Sequence, residues 1–217
     1  NTLQRNKMEQ HLTSTKTFRY FTYGDIDKAT KLIFVLHGYG QLAEFFIRKF
    51  HILEEDYLIV APEGMHRFYL KGASGRVGAS WMTKEDRNSD INDNQIYLDK
   101  LYDTITNIKD FDSIALLGFS QGGATAARWF NTTNRKIDTF ISWASVYPPD
   151  LSIEKNTSTK NNYFAIGKKD EYFTEDSINK EVKFYESMNF KTFIFEGTHN
   201  IDPATLNKIL TQININK

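Results

Sequence analysis

The sequence predicts one α/β domain over residues 1–217, with a mostly parallel, doubly wound sheet of about seven strands and helices on both faces. Short apolar runs alternate with stretches of helical spacing along the chain, as in a sheet of this kind. Runs such as Leu32–Leu36 are apolar without interruption, which is typical of strands covered by helices on both sides. The length suits one substantial core, and the sequence contains no internal repeat or linker. We expect residues 1–16 to be a poorly ordered or loosely attached N-terminal segment.

Runs of apolar, β-branched and aromatic residues predict the strands. They are Phe18–Tyr23, Lys31–Leu36, Tyr57–Ala61, Ser113–Leu117, Phe140–Ala144, Tyr163–Ile166 and Thr192–Phe195. The segments between them carry helical patterns at Ala43–Ile52, Ile91–Ile108, Gln121–Asn131, Ser177–Met188 and Ala204–Gln212. The second helix is the clearest, because its apolar residues recur at helical spacing behind the predicted capping residues Ser89 and Asp90.

One segment, from Pro62 to Met82, shows neither the alternation of apolar residues typical of a strand nor their helical spacing, and it is rich in glycine. Loops of this length in a compact domain are usually functional or disordered. Because this one carries Phe68, Tyr69 and Trp81, we expect an ordered wall of a pocket. The three aromatic side chains are candidate substrate contacts, with plain packing as the alternative.

The composition argues against several classes of function. Lys+Arg 27 balance Asp+Glu 27, so no basic face for nucleic acid is indicated. No apolar run is long enough to form an integral membrane segment. The absence of cysteine excludes disulfides, a thiolate nucleophile and cysteine-ligated metal, and it favours a cytoplasmic location. The periplasm is the alternative, because the numbering begins at Asn1 without an initiator methionine and leaves a removed signal peptide open.

The pentapeptide Gly-Phe-Ser-Gln-Gly at residues 118–122 directly follows a predicted buried strand, and small residues that can open a helix come after it. A strand that turns sharply into a helix holds its central serine in a strained conformation, with the hydroxyl above the sheet. Glycines two residues before and after the serine remove side chains that would collide in this turn. Ser120 is therefore the candidate nucleophile; the alternative is a glycine-rich turn that only packs tightly.

A serine nucleophile needs an adjacent base, and that base needs an orienting group. His199 follows the last predicted strand, where it can reach Ser120 at the same edge of the sheet. Asp170 follows the preceding strand and lies between serine and histidine in chain order, as this architecture requires. His66 is the second choice for the base, and Glu171 is the rival for the acid.

The loop His-Gly-Tyr-Gly at residues 37–40 closes the strand Lys31–Leu36. A glycine-flanked turn at this place can direct a main-chain N–H at the oxyanion, and the residue after the nucleophile supplies a second one. We therefore expect the main-chain amides of Tyr39 and Gln121 to form an oxyanion hole. His37 would brace the loop by hydrogen bonding rather than transfer protons.

Together these motifs resemble the phospholipase/carboxylesterase branch of the α/β-hydrolases, which includes bacterial carboxylesterases and acyl-protein thioesterases. The resemblance rests on residues 37–40, 118–123, 167–170 and 197–199, and it spans roughly Leu32 to Ile201. The segment ending Ala-Ser-Trp at residue 81 is also similar to that family's loop bearing a tryptophan near the site. The resemblance implies an α/β-hydrolase fold and a triad of Ser120, Asp170 and His199 that acts without a metal.

We expect a serine hydrolase that cleaves carboxylic esters or thioesters of small or acyl-chain substrates through an acyl-enzyme. A serine peptidase or amide hydrolase on the same fold is one alternative, and a non-catalytic hydrolase-like binding protein is another. We expect no cofactor and no metal, because the sequence contains no H-E-x-x-H motif or comparable pair of ligands.

Overall fold

A computed structural model of the chain describes residues 8–151 and 161–215. The strands are β1 (Tyr20–Tyr23), β2 (Lys31–Leu36), β3 (Tyr57–Pro62), β4 (His66–Tyr69), β5 (Val77–Ser80), β6 (Ser113–Phe119), β7 (Thr139–Trp143), β8 (Asn162–Gly167) and β9 (Lys191–Phe195). The main sheet has seven strands in the order β1-β3-β2-β6-β7-β8-β9, and its neighbours are parallel except for β1 and β3. The predicted mostly parallel sheet is confirmed.

The helices cover both faces of this sheet. They are α1 (Ala43–Phe46) with a 3₁₀ helix continuing it (Ile47–Leu53), α2 (Arg87–Thr106), α3 (Gln121–Thr132), α4 (Glu175–Ser187) and α5 (Pro203–Ile215). Successive residues of a strand point to opposite faces. On β2, Leu32 and Phe34 belong to the core under α2, α3 and α4, whereas Ile33 and Val35 belong to the core under α1 and α5. The doubly wound α/β fold class is confirmed. None of the described helices is long and apolar enough to cross a membrane.

The boundaries of the sheet strands agree with the predicted ones to within about two residues, but the start of α2 does not. This helix begins at Arg87, and the predicted cap by Ser89 and Asp90 is wrong. The residue before the helix is Asp86, which has a φ of 45° and makes no side-chain capping hydrogen bond. Because the main-chain amides of Ser89 and Asp90 both donate to the carbonyl of Asp86, these two residues already lie in the first turn.

The segment from Pro62 to Met82 contains regular structure that its sequence did not predict. Strands β4 and β5 pair with each other as an antiparallel hairpin outside the main sheet. The hairpin is joined to the glycine loop, because Gly40 N donates to the carbonyl of Ala79 (2.9 Å) and Ala79 N donates to the carbonyl of Gln41 (3.0 Å). The segment is thus ordered, and its place as the wall of a pocket stays a prediction. Each strand of the hairpin is four residues long, too short for the alternation of a strand to stand out in the sequence.

The N-terminal segment predicted over residues 1–16 is described from residue 8 onward, and residues 1–7 lie outside the described part of the chain. Residues 8–16 are exposed and form neither helix nor strand. Lys16 Nζ donates a hydrogen bond to the carbonyl of Met65, next to the hairpin. The loose attachment of the whole segment stays a prediction.

Candidate active site

Ser120 lies in a sharp turn between β6 and α3, and its backbone takes the strained conformation that the pentapeptide predicts. Its φ is 54° and its ψ is −122°, outside the regions that non-glycine residues ordinarily occupy. Ser120 N donates to the carbonyl of Trp143 at the end of β7 (2.9 Å), and Gly123 N donates to the carbonyl of Ser120 (2.9 Å). A Cβ at Gly122 would collide with the carbonyl oxygen of His37, so the turn requires glycine there. This is the backbone geometry of a nucleophile elbow.

Asp170 and His199 are in direct contact. Nδ1 of His199 lies 2.7 Å from Oδ2 of Asp170, whose side chain is fully buried. Because an ionised carboxylate only accepts hydrogen bonds, Nδ1 carries the proton in this pair and Nε2 is the nitrogen available to a nucleophile. The second carboxylate oxygen, Oδ1, accepts from Tyr172 N (3.0 Å). The buried carboxylate is therefore satisfied at both oxygens, which offsets the cost of removing it from water.

Backbone contacts between the loops after β8 and β9 bring these two residues together. Lys168 N donates to the carbonyl of Phe195, and Lys169 N donates to the carbonyl of Gly197, both at 2.8 Å. A Cβ at Gly167 would collide with the carbonyl oxygen of Gly197, so glycine permits this close approach. The contact between aspartate and histidine thus follows from the pairing of two neighbouring parallel strands at their carboxyl ends.

Ser120 lies at the same edge of the sheet. The ring of Phe119, its neighbour in sequence, lies 4.8 Å from the imidazole of His199 between centroids. A Cβ at Gly38 would lie 3.0 Å from the ring of Phe119 and 3.2 Å from the Cβ of Ser120. The structure therefore places both Ser120 and the ring that packs on His199 against the glycine loop.

The rival candidates have other partners. Glu171 also contacts His199, but its Oε2 accepts from the main-chain amide (3.1 Å) and not from the ring. The pKa of the Glu171 carboxyl is lower than usual, chiefly because it accepts from the main-chain amide of Glu171 itself and secondly because it accepts from that of His199. Nε2 of His66 lies 2.9 Å from Oδ1 of Asp90 at the start of α2. Asp170 is therefore the carboxylate that orients the ring of His199.

His37 braces the glycine loop from inside the protein, as the sequence predicts. Its Nε2 accepts from Gly64 N (2.9 Å), and its Nδ1 donates to the carbonyl of Gly38 (2.8 Å). Oε1 of Gln41 accepts from Gly38 N (2.9 Å) and closes the turn. Burial lowers the pKa of His37 to about 4, so the ring is neutral at pH 7 and can accept at Nε2.

The neutral state of His37 makes the fold sensitive to acid. The pKa falls from 6.5 in the unfolded chain to about 4 in the folded protein, so the unfolded state alone takes up a proton between these values. Stability from this group is complete above about pH 6.5, and we expect the free energy of unfolding to lose up to about 3 kcal/mol as the pH falls to 4. Urea unfolding at several pH values measures this loss.

Two substitutions isolate the contribution of His37 from that of the carboxylates. His37→Asn removes the titrating ring, and we expect it to flatten the dependence of the unfolding free energy on pH between 4 and 6.5. His51→Asn changes an exposed histidine and should keep the dependence of the parent protein. Equal slopes in the two variants would contradict the assignment.

The predicted oxyanion donors are the main-chain amides of Tyr39 and Gln121. In the part of the chain that the structure describes, the main-chain amides of Tyr39 and Gln121 donate to no other backbone group. Gln121 N is the first amide of α3, and unpaired amides at a helix N-terminus attract negative charge. Neither amide is committed to a backbone acceptor there, and their role as an oxyanion hole stays a prediction.

Trp81 does not line a pocket, because its side chain is fully buried. Its Nε1 donates to the carbonyl of His37 (2.8 Å), and its main-chain amide donates to Oε1 of Gln121 (3.0 Å). Its own carbonyl accepts from Nδ2 of Asn94 on α2 (2.8 Å). Trp81 thus links the glycine loop to Gln121, and its buried ring offers no surface to a substrate.

The other two predicted contacts, Phe68 and Tyr69, lie on opposite faces of β4. Phe68 is partly buried, and its ring lies 5.1 Å from that of Tyr39 on the glycine loop. Tyr69 is 49 % exposed on the other face. The Tyr39 side chain is itself 61 % exposed, so Tyr39 and Phe68 form an aromatic surface next to the predicted oxyanion hole. Of Phe68 and Tyr69, Phe68 stays a candidate substrate contact, because it lies on the face of β4 next to Tyr39.

The sequence analysis missed Glu63, a buried carboxylate at the end of β3. Arg19 donates to both of its oxygens (2.8 and 2.9 Å), Arg67 donates to Oε1 (3.3 Å), and Ala43 N at the start of α1 donates to Oε2 (3.3 Å). The next residue, Gly64, is the donor to His37. Glu63 therefore joins strand, helix and hairpin beneath the glycine loop. Its position at the carboxyl end of a predicted strand is the signal that could have found it.

One group of described side chains offers three metal-ligand atoms within 4.8 Å of one another, namely Glu9, His11 and Asp86. All three side chains are exposed, and none belongs to the site around Ser120. Exposed groups of this kind are common without an ion.

Solved structures of similar fold include several hydrolases. The chain superimposes on a carboxylesterase from Mesorhizobium loti with a TM-score of 0.69 at 16% identity, covering 89% of this chain and 94% of that one. For acyl-protein thioesterase 2 of Zea mays the TM-score is 0.67 at 14% identity, with 91% and 98% covered. For a phospholipase/carboxylesterase from Dyadobacter fermentans it is 0.62 at 21% identity, with 91% and 99% covered. These identities establish the fold alone.

A comparison with curated proteins gives no significant match. The family description that fits the sequence is Phospholipase/Carboxylesterase, and the match extends over residues 20–217, which include the elbow and both loops that carry Asp170 and His199. On this match over nearly the whole length, the chain belongs to the phospholipase/carboxylesterase family of α/β-hydrolases.

Proposed function

We propose that this chain is a serine hydrolase that cleaves carboxylic esters or thioesters through an acyl-enzyme on Ser120. The observation that carries the proposal is the 2.7 Å contact between His199 and a fully buried Asp170, at the sheet edge where Ser120 lies in a strained elbow. A buried carboxylate that orients an imidazole next to a strained serine is the arrangement that activates a hydroxyl. Family membership supports the same class of reaction.

In the first stage, His199 Nε2 takes the proton from Ser120 Oγ as this oxygen attacks the carbonyl carbon. Asp170 stabilises the imidazolium through Nδ1–H and holds the ring in one tautomer. The main-chain amides of Tyr39 and Gln121 donate to the tetrahedral oxyanion. The carbon–oxygen or carbon–sulfur bond to the leaving group then breaks, and the leaving atom takes the proton from Nε2.

In the second stage, water attacks the acyl-enzyme, and His199 accepts its proton before returning it to Ser120. The steps need no group beyond the residues of this chain and water. Hydrogen bonds fix the loops that carry the proposed groups. Trp81 and His37 hold the glycine loop, and the paired loops after β8 and β9 hold Asp170 against His199. Preorganised donors of this kind contribute more than flexible ones, because they need no rearrangement during the reaction.

The aromatic surface of Tyr39 and Phe68 supports an apolar acyl group as the substrate, because exposed aromatic rings next to a polar site offer contact area to such a group. A panel of esters of one alcohol, from acetyl to palmitoyl, together with one thioester and one lysophospholipid, tests the proposal. We expect turnover of several members, with kcat/KM varying with acyl length.

Aminoacyl amides at the same enzyme concentration complete the panel. If the proposal is correct, their kcat/KM lies far below that of the esters. Faster cleavage of the amides would favour a peptidase on the same fold. Absence of turnover with every substrate would favour a non-catalytic binding protein.

A further inference from the structure

We infer that Tyr172 forms the subsite for the alcohol or thiol that leaves, and that this subsite favours leaving groups with a flat, apolar body. The inference rests on the proposed function, since it concerns the group to which His199 returns its first proton. The residues concerned are the three consecutive ones 170–172. The carboxylate of Asp170 and the ring of Tyr172 contact the imidazole, and the carboxylate of Glu171 accepts from the main-chain amide of His199.

Among the described residues, two aromatic rings contact the imidazole of His199, and they differ in exposure. Phe119 is buried and packs at 4.8 Å between centroids. Tyr172 meets the same imidazole at 4.6 Å in a T-shaped arrangement, with 75 % of its surface exposed. Phe119 therefore belongs to the core, whereas Tyr172 offers a bare aromatic surface directly beside the base.

The position of Tyr172 is defined by the triad itself. Its main-chain amide donates to Oδ1 of Asp170 (3.0 Å), the carboxylate whose Oδ2 holds His199. The residue between them, Glu171, accepts from the main-chain amide of His199 (3.1 Å). Because the two residues before Tyr172 both contact His199, the backbone of Tyr172 has a defined place relative to the imidazole, although its side chain is exposed.

The chemistry places the leaving group in this region. To accept a proton from His199 Nε2, the leaving oxygen or sulfur must lie within hydrogen-bond reach, about 3 Å, of that nitrogen. The rest of the alcohol or thiol then extends past the imidazole, where Tyr172 is the exposed ring. Aromatic groups with centroids about 4.5–7 Å apart attract each other beyond their burial of area. A flat apolar leaving group therefore gains a contact that a methyl or ethyl group cannot make.

The order of the reaction supplies a test that separates this role from simple support of the histidine. The leaving group departs before water attacks, so it is absent during hydrolysis of the acyl-enzyme. A residue that contacts only the leaving group affects acylation alone. A residue that positions His199 affects both stages, because the same imidazole acts in each.

The experiment compares benzyl and ethyl esters of the same acid, whose alcohols differ in shape far more than in acidity. For Tyr172→Ala we expect kcat/KM to fall about tenfold for the benzyl ester and less than about threefold for the ethyl ester. Tyr172→Phe keeps the ring and should stay within about twofold of the parent on both. Tyr23→Ala, which removes a partly exposed tyrosine at the end of β1, is the matched control and should change neither.

Single-turnover hydrolysis of the isolated acyl-enzyme should proceed at the same rate in Tyr172→Ala and the parent protein. Equal losses on both esters with slower deacylation would show that Tyr172 only positions His199, and this would overturn the subsite. Unchanged kcat/KM on both esters would overturn it as well. If the parent protein cleaves neither ester nor any other member of the panel, the proposed function itself fails, and the two failures are thus distinguishable.

Discussion

Replacing Ser120 with alanine is expected to lower kcat by at least about 10⁴-fold and to abolish labelling by a fluorophosphonate probe. The hydroxyl forms the covalent bond to the acyl group, and nothing on an alanine side chain can replace it. The residual rate would come from the predicted oxyanion donors and from substrate binding. The fold should tolerate the change, because alanine demands no more of the strained backbone at φ 54° than serine does.

Ser145 provides the matched control for this substitution. Ser145 lies in the loop after β7 and is buried, with its hydroxyl donating to the carbonyl of Val146. Ser145→Ala should therefore retain both turnover and labelling. The nucleophile would have to be sought elsewhere if Ser120→Ala, with a far-UV spectrum like that of the parent, were still labelled at an undiminished rate.

Replacing Asp170 with asparagine is expected to lower kcat by about 10⁴-fold while leaving the geometry of the loops intact. An asparagine amide can donate to Nδ1 of His199, which stabilises the tautomer with its proton on Nε2. That tautomer cannot accept the proton of Ser120, so the base is lost although its position is kept. Steady-state kinetics on the best ester of the panel measure the effect.

Glu171→Gln separates the two adjacent carboxylates. Glu171 contacts the main-chain amide of His199 rather than its ring, and a glutamine carbonyl can accept the same hydrogen bond. We expect kcat to fall less than about tenfold, since the ring keeps its partner and the charge lost is exposed to solvent. A larger loss in Glu171→Gln than in Asp170→Asn would reverse the assignment of the acid.

The strands and the elbow were predictable from local sequence because their signals are local. The continuous apolar run of β2 indicates burial on both faces, and the glycines around Ser120 indicate a turn in which side chains cannot fit. The start of α2 was predicted wrongly, because the left-handed conformation of Asp86 leaves no mark in composition. The hairpin of β4 and β5 was missed as a strand pair because each strand is too short for its period to be distinctive.

Some residues of the candidate site were likewise predictable from sequence, and others were not. Chain order and strand ends sufficed to select Ser120, Asp170 and His199 as candidates, since the carboxyl ends of parallel strands meet at one edge of the sheet. Aromatic character alone could not tell whether a ring in the segment from Pro62 to Met82 is buried or open. In the structure, Trp81 is buried and its Nε1 donates a hydrogen bond to the carbonyl of His37, whereas Phe68 is partly buried and lies beside Tyr39.

The sequence by itself determined the α/β fold class and the elbow at Ser120, because each depends on residues close together in the chain. It also determined the order of the candidate triad, because each member follows a strand that its own local pattern predicts. Only the tertiary structure decided that Asp170 rather than Glu171 orients the ring of His199, and that Glu63, Trp81 and Tyr172 surround the site. Those contacts join residues between 20 and 44 positions apart, which meet only when the chain is folded. Hydrogen-bond geometry and burial at such meeting points are properties of the packed chain, and no local pattern specifies them.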